Sequence, residues 1–199
     1  MEKIAIYGGS FDPPHKGHKL LACNLAEICG ADKVIIIPTA LSPFKESSGA
    51  TAQERYEMCR MAFNEPLFEV SDIEINRGGK SYTVDTLKAV KKLYPKASLY
   101  LFMGDDMFLS FNKWYKYQEI LSLCVPVAAC RTENLEKLET MKSFAKDVLN
   151  LSDDGAIICE SVPIETSSSE IRESLKNGLS SNALDEEVYR YIKTRGLYI

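Results

Sequence analysis

The two histidines of this 199-residue chain, His15 and His18, fall inside one stretch, Gly8-Gly9-Ser10-Phe11-Asp12-Pro13-Pro14-His15-Lys16-Gly17-His18. Imidazoles three residues apart beside paired glycines are suited to holding phosphate. Glycine lets backbone N–H groups approach an anion closely, and each imidazole adds a hydrogen-bond donor. The preceding run Lys3-Ile4-Ala5-Ile6-Tyr7 is short and rich in β-formers, so it predicts a buried strand opening into a tight turn. From Lys16 onward Leu21, Leu25 and Ile28 recur at helical spacing, with Gly30 as the stop. Both histidines then project from one side of a helix's first turn, where unpaired N–H groups and the dipole already favour anions. A single histidine at a helix start reads as a cap or a surface residue. The joint occurrence of strand, Gly-Gly, Pro-Pro, both histidines and helix points instead to a phosphate site. The common nucleotide loops, G-x-x-x-x-G-K-S/T and G-x-G-x-x-G, are absent from the stretch.

Three further clusters carry polar chemistry. In Thr166-Ser167-Ser168-Ser169-Glu170-Ile171-Arg172, Ser167 and Glu170 have capping-box spacing, which capping alone explains. Arg172 stands in the second turn, close enough for serine hydroxyls, N–H groups and guanidinium to clamp a triphosphate together. Gly104-Asp105-Asp106 follows an apolar run, where a carboxylate accepts from ribose hydroxyls or holds a metal's water shell; a solvated turn with an N-cap aspartate explains it almost as well. In Gly78-Gly79-Lys80-Ser81-Tyr82-Thr83-Val84-Asp85-Thr86-Leu87 the Gly-Lys-Ser order imitates a P-loop, but Glu74 stands where its leading glycine belongs. That segment reads as a glycine loop entering a helix capped near Ser81 or Thr83. Trp114, beside Tyr115 and Tyr117 at another predicted helix start, is either core filler or a face for stacking a base or pyridine ring.

Short apolar runs alternate with helical stretches along the chain, the pattern of a parallel sheet flanked by helices. Strands are expected at 3–7, 33–37, 67–70, 98–103, 125–130 and 156–158. Helices are expected at 16–29, 52–63, 83–93, 114–121, 135–148, 168–176 and 185–193. The fold class is therefore α/β, a Rossmann-like doubly wound parallel sheet, expected as a single domain over 1–199 with a carboxyl-terminal helical portion from about 166. In such sheets ligands sit beyond the carboxyl ends of the strands, the edge shared by the turn after the first strand, the loop after Ile37 and the turn at Gly104. Lys and Arg number 24 against 28 Asp and Glu, so no nucleic-acid or anionic-membrane footprint is expected, and the partners are small molecules. Lys16, Lys45, Arg131 and Arg172 leave room for a local basic pocket. Six cysteines without a C-x-x-C pair give no zinc or redox framework and predict buried free thiols in a reducing cytoplasm. No apolar run approaches membrane-spanning length, and no protein metal site is expected.

At these residues the chain resembles a known family. Gly9-Ser10-Phe11-Asp12-Pro13-Pro14-His15-Lys16-Gly17-His18 is similar to the G-S/T-F-D-P-x-H-x-G-H signature of the nucleotidyltransferase superfamily, and Ser167–Arg172 resembles its second signature, S/T-S-S/T-x-I/V-R. Within that superfamily, Ser81–Leu87, Met103-Gly104-Asp105-Asp106 and Trp114-Tyr115 resemble the nicotinate mononucleotide adenylyltransferases, and the likeness continues to Tyr191-Ile192 and Gly196-Leu197-Tyr198. The resemblance implies transfer of an adenylyl group from ATP, with Mg²⁺, to nicotinate mononucleotide, without a covalent enzyme intermediate. It implies His15, His18 and Arg172 as the catalytic set. Gly8, Gly9, Ser10, Phe11, Gly104, Asp106, Ser168 and Ser169 would bind ATP; Lys45, Tyr82, Thr83, Trp114 and Tyr115 would bind the mononucleotide. Backbone N–H groups of Thr83 and Tyr115 receiving a pyridine carboxylate would separate the acid from its amide. Three places depart from the family pattern: Phe44 where histidine is common, Thr166 where isoleucine is usual, and Thr132-Glu133 where Pro-Gly normally follows the arginine. A different phosphate acceptor, a non-catalytic nucleotide sensor and a homo-oligomeric assembly stay open from sequence.

Overall fold

Val34, Ile35, Ile36 and Ile37 form an unbroken, β-branched apolar run, the pattern of a strand buried on both faces. In the computed structural model, which describes residues 1–41, 49–131, 135–161 and 166–198, all four are buried within β2 (Lys33–Pro38). The other strands are β1 (Lys3–Gly9), β3 (Phe68–Val70), β4 (Ser98–Gly104), β5 (Val125–Arg131) and β6 (Ile157–Ser161). They form one all-parallel sheet in the order β3-β2-β1-β4-β5-β6, flanked by helices. The strand order reverses between β1 and β4, the doubly wound pattern.

The helices are α1 (Lys16–Cys29), α2 (Ala52–Ala62), α3 (Ile73–Arg77), α4 (Thr83–Leu93), α5 (Asp105–Phe108), α6 (Tyr117–Leu123), α7 (Leu135–Asp147), α8 (Ser168–Lys176) and α9 (Glu186–Arg195), with a 3₁₀ turn at Phe111–Lys113. Expected boundaries match α1, α4 and α8 to the residue. At Gly30 the backbone turns left-handed (φ 64°), and Ala31 N–H returns to the Ala26 carbonyl at 2.9 Å, which closes α1 as its glycine predicts. Two expectations are corrected. Ile28 is exposed rather than on the buried stripe, because the buried face of α1 runs through Leu21, Leu25 and Cys29. Trp114 does not begin a helix: it ends the 3₁₀ turn, and α6 starts at Tyr117 after Lys116 takes a left-handed conformation. The short helices α3 and α5 have too few turns to leave a periodic signal.

The chain divides into two compact units. The first comprises 1–7, 21–34 and 82–163, the second 8–20, 35–81 and 164–199. In the first, β1 and β4 pair from Lys3 opposite Ser98 to Ile6 opposite Leu101, and β4, β5 and β6 continue in parallel register. Its core holds Leu25, Leu87, Phe102, Phe108, Ile120 and Met141, all buried. In the second, Thr39 N–H reaches the Gly9 carbonyl and Ser71 N–H the Ile36 carbonyl, each at 2.9 Å. There α2 packs on α9 and β3, burying Met58, Cys59, Phe63, Val188 and Ile192. The six cysteines are free thiols, and Cys23, exposed on α1, departs from the expected burial. Among the described residues no helix is long and apolar enough to cross a membrane.

A reciprocal cap begins α2: Glu54 N–H donates to Thr51 Oγ1 at 3.2 Å, and Thr51 N–H donates to the Glu54 carboxylate at 2.8 Å. Thr51→Ala removes one side of this box and should cost about 1 kcal/mol of unfolding free energy, a fall in Tm of roughly 2–4 °C. Thermal unfolding followed by circular dichroism checks this, and an unchanged Tm would show the cap to be idle.

Candidate active site

In the second unit, the loop after β1 is shaped by its own side chains. Phe11 takes a left-handed backbone (φ 47°) and is buried, with its ring edge-on to His18 at 5.1 Å between centroids. A Cβ on Gly9 would lie 3.2 Å from that ring, so glycine leaves the room the turn needs. The Asp12–Pro13 peptide is cis. Asp12 is buried; its carboxylate accepts from the Tyr198 hydroxyl, and its carbonyl accepts from Arg172 Nη1 at 2.7 Å. Ser168 Oγ donates to the Pro13 carbonyl at 3.0 Å, and Arg172 Nη2 donates to Ser169 Oγ at 3.1 Å. Burial and the bond to Asp12 push the Tyr198 hydroxyl's pKa far above its usual value, so it stays a donor.

The two imidazoles lie 3.7 Å apart between centroids, tilted by 33°. His15 N–H donates to His18 Nδ1 at 3.2 Å, which leaves the proton of a neutral His18 ring on Nε2. His15 is 4% exposed. Burial lowers its pKa from 6.5 to about 4, with Glu170 pulling weakly the other way. At neutral pH it is an uncharged ring, a hydrogen-bonding group rather than a cation. Its buried Nδ1 has no hydrogen-bond partner among the described residues. At the start of α1, Lys16 N–H is already taken by the Ala183 carbonyl at 2.8 Å, so one of the helix's terminal donors is spent within the protein. The expected capping box at α8 is present, with Glu170 N–H on Ser167 Oγ at 3.3 Å and Ser167 N–H on the Glu170 carboxylate at 2.7 Å. Thr166, half-buried, stands just before it.

The Gly79-Lys80-Ser81 turn uses its hydroxyl structurally. Ser81 is buried, its Oγ accepts from Ala40 N–H at 3.0 Å, and its N–H reaches the Leu41 carbonyl at 3.0 Å. Gly8 is exposed and Ser10 half-buried at the end of β1.

In the first unit, Gly104 ends β4 and is the N-cap of α5. Asp105, which the sequence leaves between a ligand-binding carboxylate and a solvated turn, is buried and paired with Lys137 at 2.7 Å, while Asp106 is 86% exposed and meets the same ammonium at 3.0 Å. Bonds to both carboxylates raise the Lys137 pKa. Tyr82 is the N-cap of α4 and Thr83 its first residue, where N–H groups lack helical acceptors. The Tyr82 and Tyr115 rings lie 4.7 Å apart, and Trp114, half-buried, packs on Phe111 at 5.0 Å. Tyr115 is exposed.

The structure thus brings His15, His18, Phe11, Ser168, Ser169 and Arg172 together in one unit, and Tyr82 and Tyr115 together in the other. Lys45, Phe44, Thr132 and Glu133 lie outside the described residues, and of Arg131 only the backbone, paired with Ser161, is described. Type and spacing single out neither Arg55 nor Lys137, and Tyr198 stands out only within the Gly196-Leu197-Tyr198 likeness. Arg and Lys on amphipathic helices read as surface, and a penultimate tyrosine carries no local signal.

Residues 6–174 match the Cytidylyltransferase-like family, which makes the chain a nucleotidyltransferase by class. A relative from Hydrogenobaculum sp. (strain Y04AAS1), named "Probable nicotinate-nucleotide adenylyltransferase", is 32% identical over 197 residues, covering 98% of this chain and 97% of its own. One of the same name from Desulfitobacterium hafniense (strain Y51) is 38% identical over 203 residues, covering 99% and 96%. The chain belongs to the nicotinate-nucleotide adenylyltransferase family. Its fold is that of the Plasmodium falciparum nicotinic acid mononucleotide adenylyltransferase complexed with NaAD, at a TM-score of 0.75 and 18% identity over 100% of this chain and 98% of that one. Such nucleotidyltransferases use a divalent metal with the nucleotide.

Because the native His15 pKa, about 4, lies below 6.5, the unfolded chain binds more protons between those values. The stability its neutral burial contributes is full above about pH 6.5 and is lost as pH falls through 4. Between pH 7 and 4.5 the wild type should lose about 2–3 kcal/mol more unfolding free energy than His15→Asn. Urea unfolding at both pH values measures this difference, and parallel losses would contradict a buried neutral imidazole.

Proposed function

We propose that the chain transfers the adenylyl group of ATP to nicotinate mononucleotide. The 5′-phosphate oxygen of the mononucleotide forms a bond to the α-phosphorus of ATP, the bond to the β-phosphate oxygen breaks, and pyrophosphate leaves with deamido-NAD as the other product. The observation that carries this reading is the neutral, buried His15 stacked on His18 at the start of α1, with a ring nitrogen that has no partner among the described residues. Buried polar nitrogens are rarely left unsatisfied, and a phosphate oxygen would supply the partner. A reaction of this type needs positioning and charge neutralisation more than a protein nucleophile.

In this reading His15 and His18 contact the triphosphate, and His18 supports the charge that builds on it during transfer. Arg172, Ser168 and Ser169 hold the departing phosphates. Gly8, Gly9, Ser10 and Phe11 line the nucleotide with backbone, and Gly104 and Asp106 take the ribose of ATP. Tyr82, Thr83, Trp114 and Tyr115 bind the mononucleotide, its carboxylate reaching N–H groups at residues 83 and 115. Mg²⁺ enters as part of the ATP substrate, held mainly by phosphates and water as this ion prefers. Residues 1–199 work as one nucleotidyltransferase domain in which 166–199 complete the ATP site. The free thiols suit a reducing cytoplasm.

Pyrophosphate release with ATP, Mg²⁺ and either nicotinate or nicotinamide mononucleotide tests the substrate. The acid should have the higher kcat/KM by about tenfold or more, and equal values would contradict recognition of the carboxylate. His18→Ala should lower kcat by roughly two to three orders of magnitude with Tm little changed; unaltered turnover would remove His18 from the chemistry.

A further inference from the structure

Arg55 lies on α2 but is only 7% exposed, an unusual place for a guanidinium, since a buried charge must recover its lost hydration. Its acceptors are backbone carbonyls. Nη1 donates to the Ser10 carbonyl at 2.6 Å; Nη2 donates to the Thr39 carbonyl at 2.6 Å and reaches that of Ala40 at 3.4 Å. Ser10 follows the last residue of β1, and Thr39 the last residue of β2. One planar fork therefore ties together the carboxyl ends of two strands, a geometry that a lysine's single ammonium does not reproduce. Burial pulls the Arg55 pKa down, while the charge of Asp12, itself buried, pushes it back up.

The same helix holds the loop from a second point. Phe63, which closes α2, lies edge-on to the Phe11 ring at 5.9 Å, and the far side of that contact chain is His18, 5.1 Å from Phe11. Phe11 sits between the carbonyl that Arg55 grips and the buried Asp12, in a left-handed backbone that needs its neighbours fixed. Past Thr39, Ala40 N–H holds the Ser81 hydroxyl.

We propose that Arg55 is a positioning residue for the reaction: its fork fixes Ser10 and Thr39, which sets Phe11 and through it the orientation of the His18 ring. This rests on the reading of the histidine loop as the phosphate site. Arg55 touches no reacting atom; it acts through the backbone and one aromatic ring. The pair of histidines makes the effect directly visible, because the imidazole region of an NMR spectrum holds signals from His15 and His18 alone.

The test compares wild type, Arg55→Lys and Arg55→Met in the full chain. In substrate-free Arg55→Lys, which keeps the charge but not the fork, the His18 imidazole signals should move away from their wild-type positions. Its kcat should fall about tenfold to a hundredfold, the loss expected for a displacement on the order of 1 Å, with KM for ATP changing by a smaller factor. Arg55→Met should lose more activity and melt lower; if it does not fold, Arg55→Lys decides alone. A folded Arg55→Lys enzyme with wild-type His18 signals and wild-type kcat overturns the proposal. If the wild type itself releases no pyrophosphate from ATP and a mononucleotide, the functional reading fails, and the substrate-free His18 signals still judge the positioning claim.

Discussion

Asp12 and Pro13 are tied to the carboxyl-terminal part of the chain by three side chains. Arg172 donates to one carbonyl, Ser168 donates to the next, and Tyr198 closes on the Asp12 carboxylate. Hydrogen bonds to or from charged groups each contribute about 1.5–3 kcal/mol, more than the roughly 1 kcal/mol of a neutral pair, so this junction outweighs ordinary loop contacts. It binds residues about 155 to 186 positions apart. The left-handed Phe11, the His15–His18 stack and the capping box of α8 all lie within or beside it. A loop so held can keep two imidazoles in one arrangement before any ligand arrives, and preorganisation of this kind lets electrostatic stabilisation act without a reorganisation cost during the reaction.

Burial then sets the chemistry of that arrangement. His15 is desolvated enough to stay neutral at physiological pH, and two imidazolium rings 3.7 Å apart would repel. Positive charge is supplied instead by guanidinium groups, which do not lose their protons in proteins. Arg172 stands half-buried beside Ser169, and Arg55 lies under the loop. Both cations anchor backbone, and Arg172 is left with the two imidazoles to meet the ligand.

The fold was largely legible in the sequence because its signals are local. Val34–Ile37, apolar and β-branched throughout, reads as a doubly buried strand, Gly30 stops α1, and Ser167 with Glu170 caps α8 as spacing predicts. The motif from Gly9 to His18 marked the histidine pair for the same reason: its residues are contiguous. What sequence did not reveal are pairings across long separations. Asp12 with Tyr198, Arg55 with the Ser10 carbonyl, and Lys137 with Asp105 each join residues with no shared period. The sequence predicts a helix start at Trp114 with Tyr115 and Tyr117; the left-handed Lys116 delays it to Tyr117, and its side chain gives no warning of a positive φ.

The central claim is that a neutral His15 and its neighbour His18 are held ready for a triphosphate. A titration of ATP with Mg²⁺ into the protein, followed through the imidazole NMR signals over a range of pH, measures this directly. Both histidines should shift saturably, and the His15 pKa should rise from about 4, because a bound polyanion favours the imidazolium form. ATP binding that leaves both sets of signals and the His15 pKa unmoved would contradict the account.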